Sequence, residues 1–480
     1  MYDLFSHLDE VKPALRKLVD ELNGRYRYAS VFAVMDDSRD WRVSRSGPRI
    51  TTEAVIASVG ATIGGAGYCV RVFDDTGCFE YSFNEFDEAK IPEILRTIEE
   101  RMAAQKAALP EGVTPLPTPV PADEPCVLKK ETPYKIHPRE LGDEAILARL
   151  NEVREKGMAH EGILDFNAIA LYRQYRELFL SKNRDLDQTC MYTDYALFAL
   201  AAKGEKIKDY YVPCSICGGA EVLDTIEEKI DIAAETAVKL LDAEPIQPGE
   251  YDCICSPSLT GMIVHEAFGH GVEEDMFVKD RAMAREFVGK RVASDLVTMI
   301  DGPSGGQTAT FFFDHEGTLA KDTLVIDKGI LVSGYADALS AGRLGVEPTG
   351  NGRRENYAHK AYTRMTNTYF KGGDSTLEEM IASIDDGFLL DNPTSGMEDP
   401  KNWGIQCMVS IAYEIKNGKL TGKLFSPIVL TGYVPDLLQS ISMMGKDVEL
   451  CGTGYCGKGH KEYVVVSDGG PYMKARIKLG

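Results

Sequence analysis

The chain has 480 residues, of which 44% are hydrophobic and 26% are charged, a balance typical of a folded protein. This length has room for roughly two to four domains. Lys and Arg total 53 whereas Asp and Glu total 74, so the formal net charge is −21. That charge argues against nucleic acid or an anionic membrane as the main partner, because both require a basic surface. No segment approaches the run of about 20 apolar residues that a membrane-spanning helix needs.

The first part of the chain predicts a small layer of helices and strands. Residues 3–23 have a helical apolar period, residues 25–35 alternate like a strand, and a further helix is predicted at about 86–108. Between them, residues 66–82 predict two strands joined by an Asp-Thr-Gly turn. Residues 3–23 lack the apolar core and the cleavage site of a signal peptide, so we expect a cytoplasmic protein.

Clustered prolines mark the best candidate for a domain boundary. Residues 109–125 contain six prolines, which remove backbone N–H donors and disfavour helix, so this segment is predicted to be extended. We therefore predict an N-terminal α/β domain over residues 1–125 and a C-terminal domain over residues 126–480. An alternative within this division is that part of residues 126–243 packs with the N-terminal domain.

Residues beyond the proline-rich segment alternate between helical and strand-like patterns. Helices are predicted at about 139–157 and 219–243, and residues 162–215 between them are predicted to form strands. From residue 249 onward, hairpins are predicted at a Lys-Gly pair and at an Asn-Gly pair. The predicted fold class is α+β, with a second domain that is mostly antiparallel sheet with inserted helices.

The strongest chemical signal is HEAFGH, which differs from the zinc-protease pattern HExxH by one extra residue between the histidines. In a regular helix, residues i and i+5 lie about 140° apart, so His265 and His270 could not easily hold one ion. Gly269 and Gly271 permit a π-bulge or a helix end that turns His270 back toward His265. Imidazoles are good zinc ligands, and Glu266 could take the proton of a water activated by the metal. The alternative is an apolar helix end whose histidines make ordinary hydrogen bonds.

Two histidines are too few to hold a catalytic metal, so a third ligand must be a Cys, His, Asp or Glu from elsewhere. One candidate is Cys456, which lies in the glycine-rich loop GYCGKGH together with Lys458 and His460. A thiolate there would be stabilised by a metal and by Lys458. Another candidate is the pair Cys214 and Cys217, which has metal or redox spacing, although a plain pair of thiols in a turn is the more ordinary interpretation.

The polar segment over residues 350–359 is a candidate for substrate binding. Its glycines permit tight turns, and Arg353 and Arg354 could bind substrate carboxylates or carbonyls. Either arginine, or Tyr357, is a candidate donor to the oxyanion of an amide-hydrolysis reaction. The alternative is a structural loop with surface salt bridges. The predicted substrate-binding residues are Arg353, Arg354, Tyr357, His359, Lys458 and His460.

Several separate motifs resemble the TldD/PmbA peptidases, and specifically the TldD branch of that family. The resemblance runs over most of the chain and is strongest at four motifs that occur in the family's order. These motifs are IVHEAFGHGVEED, PTGNGRRENYAH, RMTNTYF and GYCGK. By residue-wise match, the resemblance implies one zinc ion held by His265, His270 and Cys456, with Glu266 as the catalytic base.

The resemblance also implies a fold, a substrate class and a partner. The expected fold is an N-terminal α/β layer domain followed by a C-terminal domain around a curved, barrel-like and mostly antiparallel β-sheet. Family members form dimers that enclose the site, so we expect a homodimer or a heterodimer with a TldE/PmbA-like subunit that lacks the metal site. The implied activity is hydrolysis of short or unfolded peptides, which enter extended and pair as an added strand.

The sequence departs from the family's pattern in two places. The family has Gly-Gln after Cys-Gly-Lys, where this chain has Gly459-His460-Lys461. The segment 391–403 is shifted relative to a glycine-rich stretch of the family. His460 is therefore an alternative or additional metal ligand. These changes affect the expected substrate choice and loop geometry more than the metal.

Three functional hypotheses follow from the sequence. The leading one is a zinc-dependent peptidase, and the second is a non-catalytic peptide-binding or assembly subunit of the same fold. The third is a thiol redox protein that uses Cys214 and Cys217. A regulator of DNA topology, an older idea attached to the family, fits poorly with the net charge of −21.

Overall fold

The computed structural model describes residues 5–52, 55–56, 61–62, 65–75, 77–113, 118–459 and 462–480. None of the described helices has both the length and the apolar composition that crossing a membrane requires. The described α-helices are α1 (Ser6–Asn23), α2 (Ile91–Ala107), α3 (Pro138–Leu141), α4 (Asp143–Met158), α5 (Ile230–Lys239), α6 (Pro257–Ile263), α7 (Glu274–Val278), α8 (Ala338–Leu344), α9 (Leu377–Ala382) and α10 (Val434–Gln439). The described β-strands are β1 (Tyr28–Ser44), β2 (Gly47–Thr51), β3 (Val55–Ile56), β4 (Ala61–Thr62), β5 (Gly67–Phe73), β6 (Cys78–Phe83), β7 (Cys126–Glu131), β8 (Ile163–Ser181), β9 (Arg184–Lys203), β10 (Lys206–Ile216), β11 (Gly249–Cys255), β12 (Met299–Asp301), β13 (Thr323–Asp327), β14 (Ile330–Leu331), β15 (Gly352–Arg353), β16 (Tyr362–Thr363), β17 (Asn367–Phe370), β18 (Asp386–Asp399), β19 (Gly404–Lys416), β20 (Lys419–Phe425), β21 (Ile428–Tyr433), β22 (Met443–Met444), β23 (Glu449–Cys456), β24 (Val464–Gly470) and β25 (Met473–Leu479).

An eight-stranded sheet forms the first layer, with its strands in the order β10-β9-β8-β1-β5-β6 and with β2 and β7 paired to β1 and β9. Alternate residues of a strand share one face of a sheet. On one face of β1, Val31 and Ala33 pack with α1 and α2, whereas Trp41 and Val43 pack with α4 and α5. The four helices therefore cover the same face of this sheet.

The proline-rich segment connects two parts of this one sheet. β8, β9 and β10 follow that segment in the chain, yet β8 pairs antiparallel with β1 along most of its length. Part of residues 126–243 therefore lies with the N-terminal layer. A boundary drawn by sheet membership would fall after β10 rather than at residue 125.

Five strands of a second sheet close on themselves in the order β11-β18-β19-β21-β25, because β25 also pairs with β11. β11 and β18 are parallel, and the other pairs of this ring are antiparallel. The closure confirms the predicted fold, which combines an α/β layer with a curved, barrel-like and mostly antiparallel sheet. Side chains such as Cys255, Leu390 and Leu430 belong to one buried cluster in this sheet.

A third sheet, with the strand order β14-β13-β12-β17-β24-β23, is joined to the barrel-like sheet through α6, which contacts both β18 and β24. β23 and β24 form an antiparallel pair in which Cys456, the last residue of β23, lies opposite Val464. β23 also contacts α6. The pair therefore carries Cys456 next to the helix that leads into the two histidines.

Both predicted hairpin loops are present. Lys328 and Gly329, between β13 and β14, have φ angles of 45° and 83°. Asn417 and Gly418, between β19 and β20, have φ angles of 49° and 73°. Positive φ at both central residues matches the right-handed twist of the flanking strands, which is why Asn-Gly is a strong hairpin signal.

Replacing a buried strand leucine should cost far more stability than replacing an exposed one in the same sheet. Leu430 in β21 is 0% exposed, and Leu420 in β20 is 49% exposed. We expect Leu430→Ala to lower the free energy of unfolding by about 2–5 kcal/mol, because the substitution removes buried contacts and leaves a cavity. Leu420→Ala should change it by less than about 0.5 kcal/mol. Denaturant unfolding measures both values, and equal losses would contradict the assigned burial.

Candidate metal centre

The segment that carries both histidines is not a regular α-helix. α6 continues into a π-helix at Val264–Gly269, which passes into a 3₁₀ turn at His270–Val272. A π-helix closes hydrogen bonds between residues i and i+5, so residues five apart return to the same side. The ring centroids of His265 and His270 accordingly lie 5.1 Å apart. The prediction that the backbone turns His270 back toward His265 is confirmed.

The surroundings of His270 leave no room for a side chain at either neighbouring glycine. A Cβ at Gly269 would overlap the sulfur of Met365, and a Cβ at Gly271 would lie 2.6 Å from Glu398 Oε1. Glu398 Oε2 also accepts a hydrogen bond from the backbone N–H of Gly271 at 3.1 Å. The glycines therefore permit close packing on this turn, and Met365 and Glu398 fix its position.

The thiol of Cys456 lies between the two imidazoles. Its Sγ is 3.1 Å from His265 Nε2 and 3.2 Å from His270 Nε2. At zinc–sulfur and zinc–nitrogen bond lengths of about 2.3 and 2.0–2.1 Å, tetrahedral ligand atoms stand roughly 3.5 Å apart, which is close to both separations. His265, His270 and Cys456, called the triad below, therefore fit a zinc ion in donor chemistry and in spacing.

A buried guanidinium stabilises the thiolate form of Cys456. Arg364 is 0% exposed, and its Nη2 lies 2.8 Å from Cys456 Sγ. Burial alone raises the pKa of the Cys456 thiol, but His270, Arg364 and His265 outweigh this effect and hold the pKa well below its ordinary value. The thiolate is the form that binds a metal, so this environment favours a cation at the triad.

Glu273 connects His270 to two cationic side chains. Its carboxylate lies 3.2 Å from His270 Nδ1, 3.1 Å from Lys458 Nζ and 3.3 Å from Arg364 Nε. Burial raises the pKa of Glu273, but Lys458, His270 and Arg364 outweigh burial and bring the pKa well below its ordinary value. An ionised carboxylate at Nδ1 keeps the imidazole proton on that nitrogen, which leaves Nε2 as the ligand atom.

A cavity of about 580 Å³ lies beside the triad, within the size range of small-ligand sites. Glu266 borders the cavity and packs against Gly396 of β18, where a Cβ would overlap the Glu266 side chain. Glu398 and Asp468 line the same cavity. Burial raises the pKa of both carboxyl groups, that of Asp468 to about 6. The cavity lining is therefore rich in carboxyl groups.

Two predicted residues follow Cys456 in the chain. Lys458 lines the cavity, and its Nζ lies 3.1 Å from Glu273 and 2.7 Å from Asp275. Its ammonium group is therefore paired with carboxylates. His460, the predicted alternative ligand, lies outside the described residues.

Arg353, Arg354 and Tyr357 are not among the residues that line the cavity beside the triad. They line a second pocket together with Phe32 of β1. His359 also lies apart from the triad, in a separate group of ionisable side chains. The predicted role of these four residues on a substrate held at the triad therefore gains no support from their positions.

All eleven cysteines are free thiols. Burial raises the pKa of Cys217, which opposes the reactive thiolate that a redox centre needs. Two groups of three potential metal ligands converge in the described parts of the chain, and neither contains Cys214 or Cys217. The structure therefore gives no support to a metal or redox site at this pair.

The sequence patterns do not indicate that Arg364, Glu398 and Asp468 belong to the site. Arg364 lies in the motif RMTNTYF, but no local spacing indicates that it contacts a cysteine 92 residues away. Glu398 lies near the end of a long strand, and its hydrogen bond to Gly271 spans 127 residues. Only the packing of the third sheet and the barrel-like sheet on α6 brings these groups together.

Residues 248–478, which contain the triad, match the family model described as the PmbA/TldA metallopeptidase C-terminal domain. This match, together with curated relatives, supports assignment of the chain to the TldD/PmbA family. The match begins just before β11 and ends within β25. It therefore covers the barrel-like sheet and the third sheet, whereas the eight-stranded sheet lies outside the matched range.

Curated relatives support membership of the TldD/PmbA family. A protein named metalloprotease from Methanothermobacter thermautotrophicus is 34% identical over 288 residues, which are 59% of this chain and 63% of that protein. A protein named metalloprotease TldD homolog from Buchnera aphidicola subsp. Acyrthosiphon pisum is 36% identical over 254 residues, 52% of each chain. A zinc metalloprotease TldD homolog from Saccharolobus solfataricus is 27% identical over 64% of this chain and 69% of that protein. The chain thus spans between half and two thirds of the length of the first two relatives.

Solved structures share the fold across nearly the whole chain. TldE from Thermococcus kodakarensis has a TM-score of 0.73 and 17% identity, over 97% of this chain and 100% of that chain. A Thermotoga maritima protein described as a proposed modulator of a DNA gyrase has a TM-score of 0.75 and 16% identity, over 98% and 100% of the two chains. At these identities the likeness shows the fold alone.

Removing the charge of Arg364 should raise the pKa of Cys456. Arg364→Met keeps much of the side-chain volume but loses the guanidinium, so we expect the thiol pKa in the metal-free protein to rise. The thiolate would then form only at higher pH. The rate of thiol alkylation as a function of pH measures the change.

The control for this experiment is Arg353→Met. Arg353 is also buried, and its Nη1 donates to the carbonyl of Met365 rather than to the thiol. We expect its alkylation profile to match that of the wild type. An unshifted profile in Arg364→Met would show that the guanidinium does not stabilise the thiolate.

Proposed function

We propose that this member of the TldD/PmbA family is a zinc-dependent metallopeptidase, with His265, His270 and Cys456 as the metal ligands and Glu266 as the base. The observation that carries the proposal is the convergence of two imidazole Nε2 atoms on one buried thiolate, at 3.1 and 3.2 Å, beside a cavity that Glu266 borders. Two imidazoles with a thiolate favour zinc, although iron or cobalt would tolerate the same ligands. The names of the curated relatives support the same class of activity.

The chemistry divides between the metal and the chain. Bound zinc would polarise a peptide carbonyl and lower the pKa of water, which is what amide hydrolysis near neutral pH requires. Glu266 takes a proton from the attacking water and passes it to the nitrogen of the leaving amine. Its packing against Gly396 restricts the positions of this carboxylate. Glu273 keeps the proton of His270 on Nδ1, and Arg364 balances the thiolate charge.

The proposed substrate is a short or unfolded peptide in an extended conformation. The lining residues include four glycines from the end of β18 and from the end of β23 with the loop beyond it, namely Gly396, Gly454, Gly457 and Gly459. Glycines allow the main chain of a ligand to approach closely. We further propose a dimer that encloses this cavity, either a homodimer or a heterodimer with a TldE/PmbA-like subunit. The fold shared with TldE is compatible with such a pairing.

The alternative is a non-catalytic peptide-binding or assembly subunit. The TldE fold similarity favours it, because the same architecture is present in the partner branch of the family. The complete set of His265, Glu266, His270 and Cys456 argues against it, since a binding subunit needs neither a metal nor a base. Peptide binding without hydrolysis by the zinc-loaded wild type would establish this alternative.

Glu266→Gln should abolish most hydrolysis and keep the metal. The amide cannot accept the proton, so we expect kcat/KM on unstructured peptides to fall by about 100-fold or more. The zinc content should stay at the wild-type level, because Glu266 is not one of the three proposed metal ligands. Mass spectrometry of peptide products and elemental analysis of the same samples measure both quantities.

A matched control is Glu347→Gln, the same change at an exposed position in the loop after α8. It should retain wild-type activity and zinc content. Full activity in Glu266→Gln would exclude Glu266 as the base, whereas loss of zinc in that variant would assign it to the metal.

A further inference from the structure

A second group of potential ligands lies outside the triad. Glu355, His359 and Glu462 each offer one donor atom, and these atoms lie within 4.8 Å of one another. Glu355 and His359 belong to the polar segment that follows β15, and Glu462 precedes β24. The group shares no residue with the triad, and the proposed peptidase mechanism does not use it.

The atoms of this group are spaced more widely than hydrogen-bonded partners. His359 Nδ1 lies 3.5 Å from Glu462 Oε2 and 3.8 Å from Glu355 Oε2. Hydrogen bonds from nitrogen to oxygen are usually about 2.7–3.2 Å long. Neighbouring ligands at about 2.1 Å from a divalent ion stand roughly 3.0–3.4 Å apart, so small movements would close these atoms around a cation.

The environment of the Glu462 carboxylate is a second observation that favours a bound cation. Glu462 is 8% exposed, and its Oε2 is buried and accepts no hydrogen bond from the described residues. An ionised oxygen without a partner in such a place is costly, because desolvation is not offset. This oxygen faces His359, whose Nδ1 lies 3.5 Å away, beyond hydrogen-bond distance.

Among the described residues, the neighbouring guanidinium of Arg354 pairs with neither carboxylate of the group. Glu355 is 8% exposed, and its Oε2 accepts the backbone N–H of Tyr463 at 3.0 Å. The neighbouring Arg354 directs its guanidinium to Glu80, at 2.5 and 3.3 Å, and to the carbonyl of His359. Two carboxylates thus share one imidazole, and a cation would compensate their charge.

His359 keeps the group open to solvent. Its side chain is 37% exposed, so ions and water can reach the imidazole. Two carboxylates, one imidazole and water are a harder ligand set than the thiolate and two imidazoles of the triad. Such a set suits a divalent ion of the manganese class, whose remaining positions are filled by water.

We propose that Glu355, His359 and Glu462 form a second divalent-cation site, separate from the triad. Arg364 links the two sites, since it donates to the carbonyl of Glu462 as well as to Sγ of Cys456. A cation there ties the segment after β15 to the chain between β23 and β24. The proposal does not rest on the peptidase activity.

The test is a titration of the zinc-loaded full chain with Mn²⁺, in which electron paramagnetic resonance reports free Mn²⁺. We expect about one Mn²⁺ per chain, and at least about a tenfold weaker affinity in both Glu462→Gln and His359→Ala. The pulsed spectrum of bound Mn²⁺ should show coupling to a nitrogen nucleus, which His359→Ala removes. Glu347→Gln is the control and should bind Mn²⁺ like the wild type.

Two outcomes would overturn the proposal: no stoichiometric Mn²⁺ binding by the wild type, or binding that neither Glu462→Gln nor His359→Ala weakens. His359 is partly exposed, so its variant tests the site even if Glu462→Gln fails to fold. Cys456→Ser should lose zinc and retain the Mn²⁺ site. Its Mn²⁺ titration therefore separates a failure of this proposal from a failure of the proposed function.

Discussion

The contact of two imidazoles with one buried thiolate depends on packing between distant parts of the chain. His265 and Cys456 are 191 residues apart in sequence, and α6 and β23 bring them to 3.1 Å. The packing of α6 on β24 is close, because a Cβ at Gly261 would lie 2.6 Å from the backbone nitrogen of Gly469. Any displacement of α6 from the third sheet would separate the histidines from Cys456.

Alternating positive and negative charges stabilise this buried contact. The Cys456 thiolate is hydrogen-bonded to Arg364, and Arg364 forms an ion pair with Glu273. Glu273 in turn contacts Lys458 and His270. Buried ions are stable only when each is paired and hydrogen-bonded. The network also orients the site, since the same contacts that balance charge determine which nitrogen of His270 faces Cys456.

Local features of the site could be predicted from the sequence, because they depend on neighbouring residues. The insertion in HEAFGH and the glycines beside His270 indicate a departure from the regular helix, and the Asn417-Gly418 pair indicates a tight hairpin. The contacts of Arg364 and Glu398 could not be predicted, because they join elements that only the folded sheets bring together. Likewise, the proline-rich segment looks the same from sequence whether it joins two domains or two parts of one sheet.

The separation of Arg353 from the triad also depends on packing between distant elements. A glycine-rich segment with two arginines is chemically suited to binding a substrate, but the direction of its side chains depends on the sheet against which it packs. Arg353 and Arg354 line a pocket with Phe32 of the first sheet, away from the cavity that Glu266 borders. The chemistry of these side chains therefore does not predict where the segment packs.

X-ray absorption at the zinc edge, measured together with zinc content in wild type and Cys456→Ser, tests whether Cys456 binds zinc with His265 and His270. We expect about one zinc per chain in the wild type, with a ligand shell of two imidazole nitrogens, one sulfur at about 2.3 Å and one lighter atom. Cys456→Ser should lose the sulfur signal and most of the zinc. A sulfur-free shell in the wild type, or full zinc content in Cys456→Ser, would contradict the assignment of Cys456 as the third ligand.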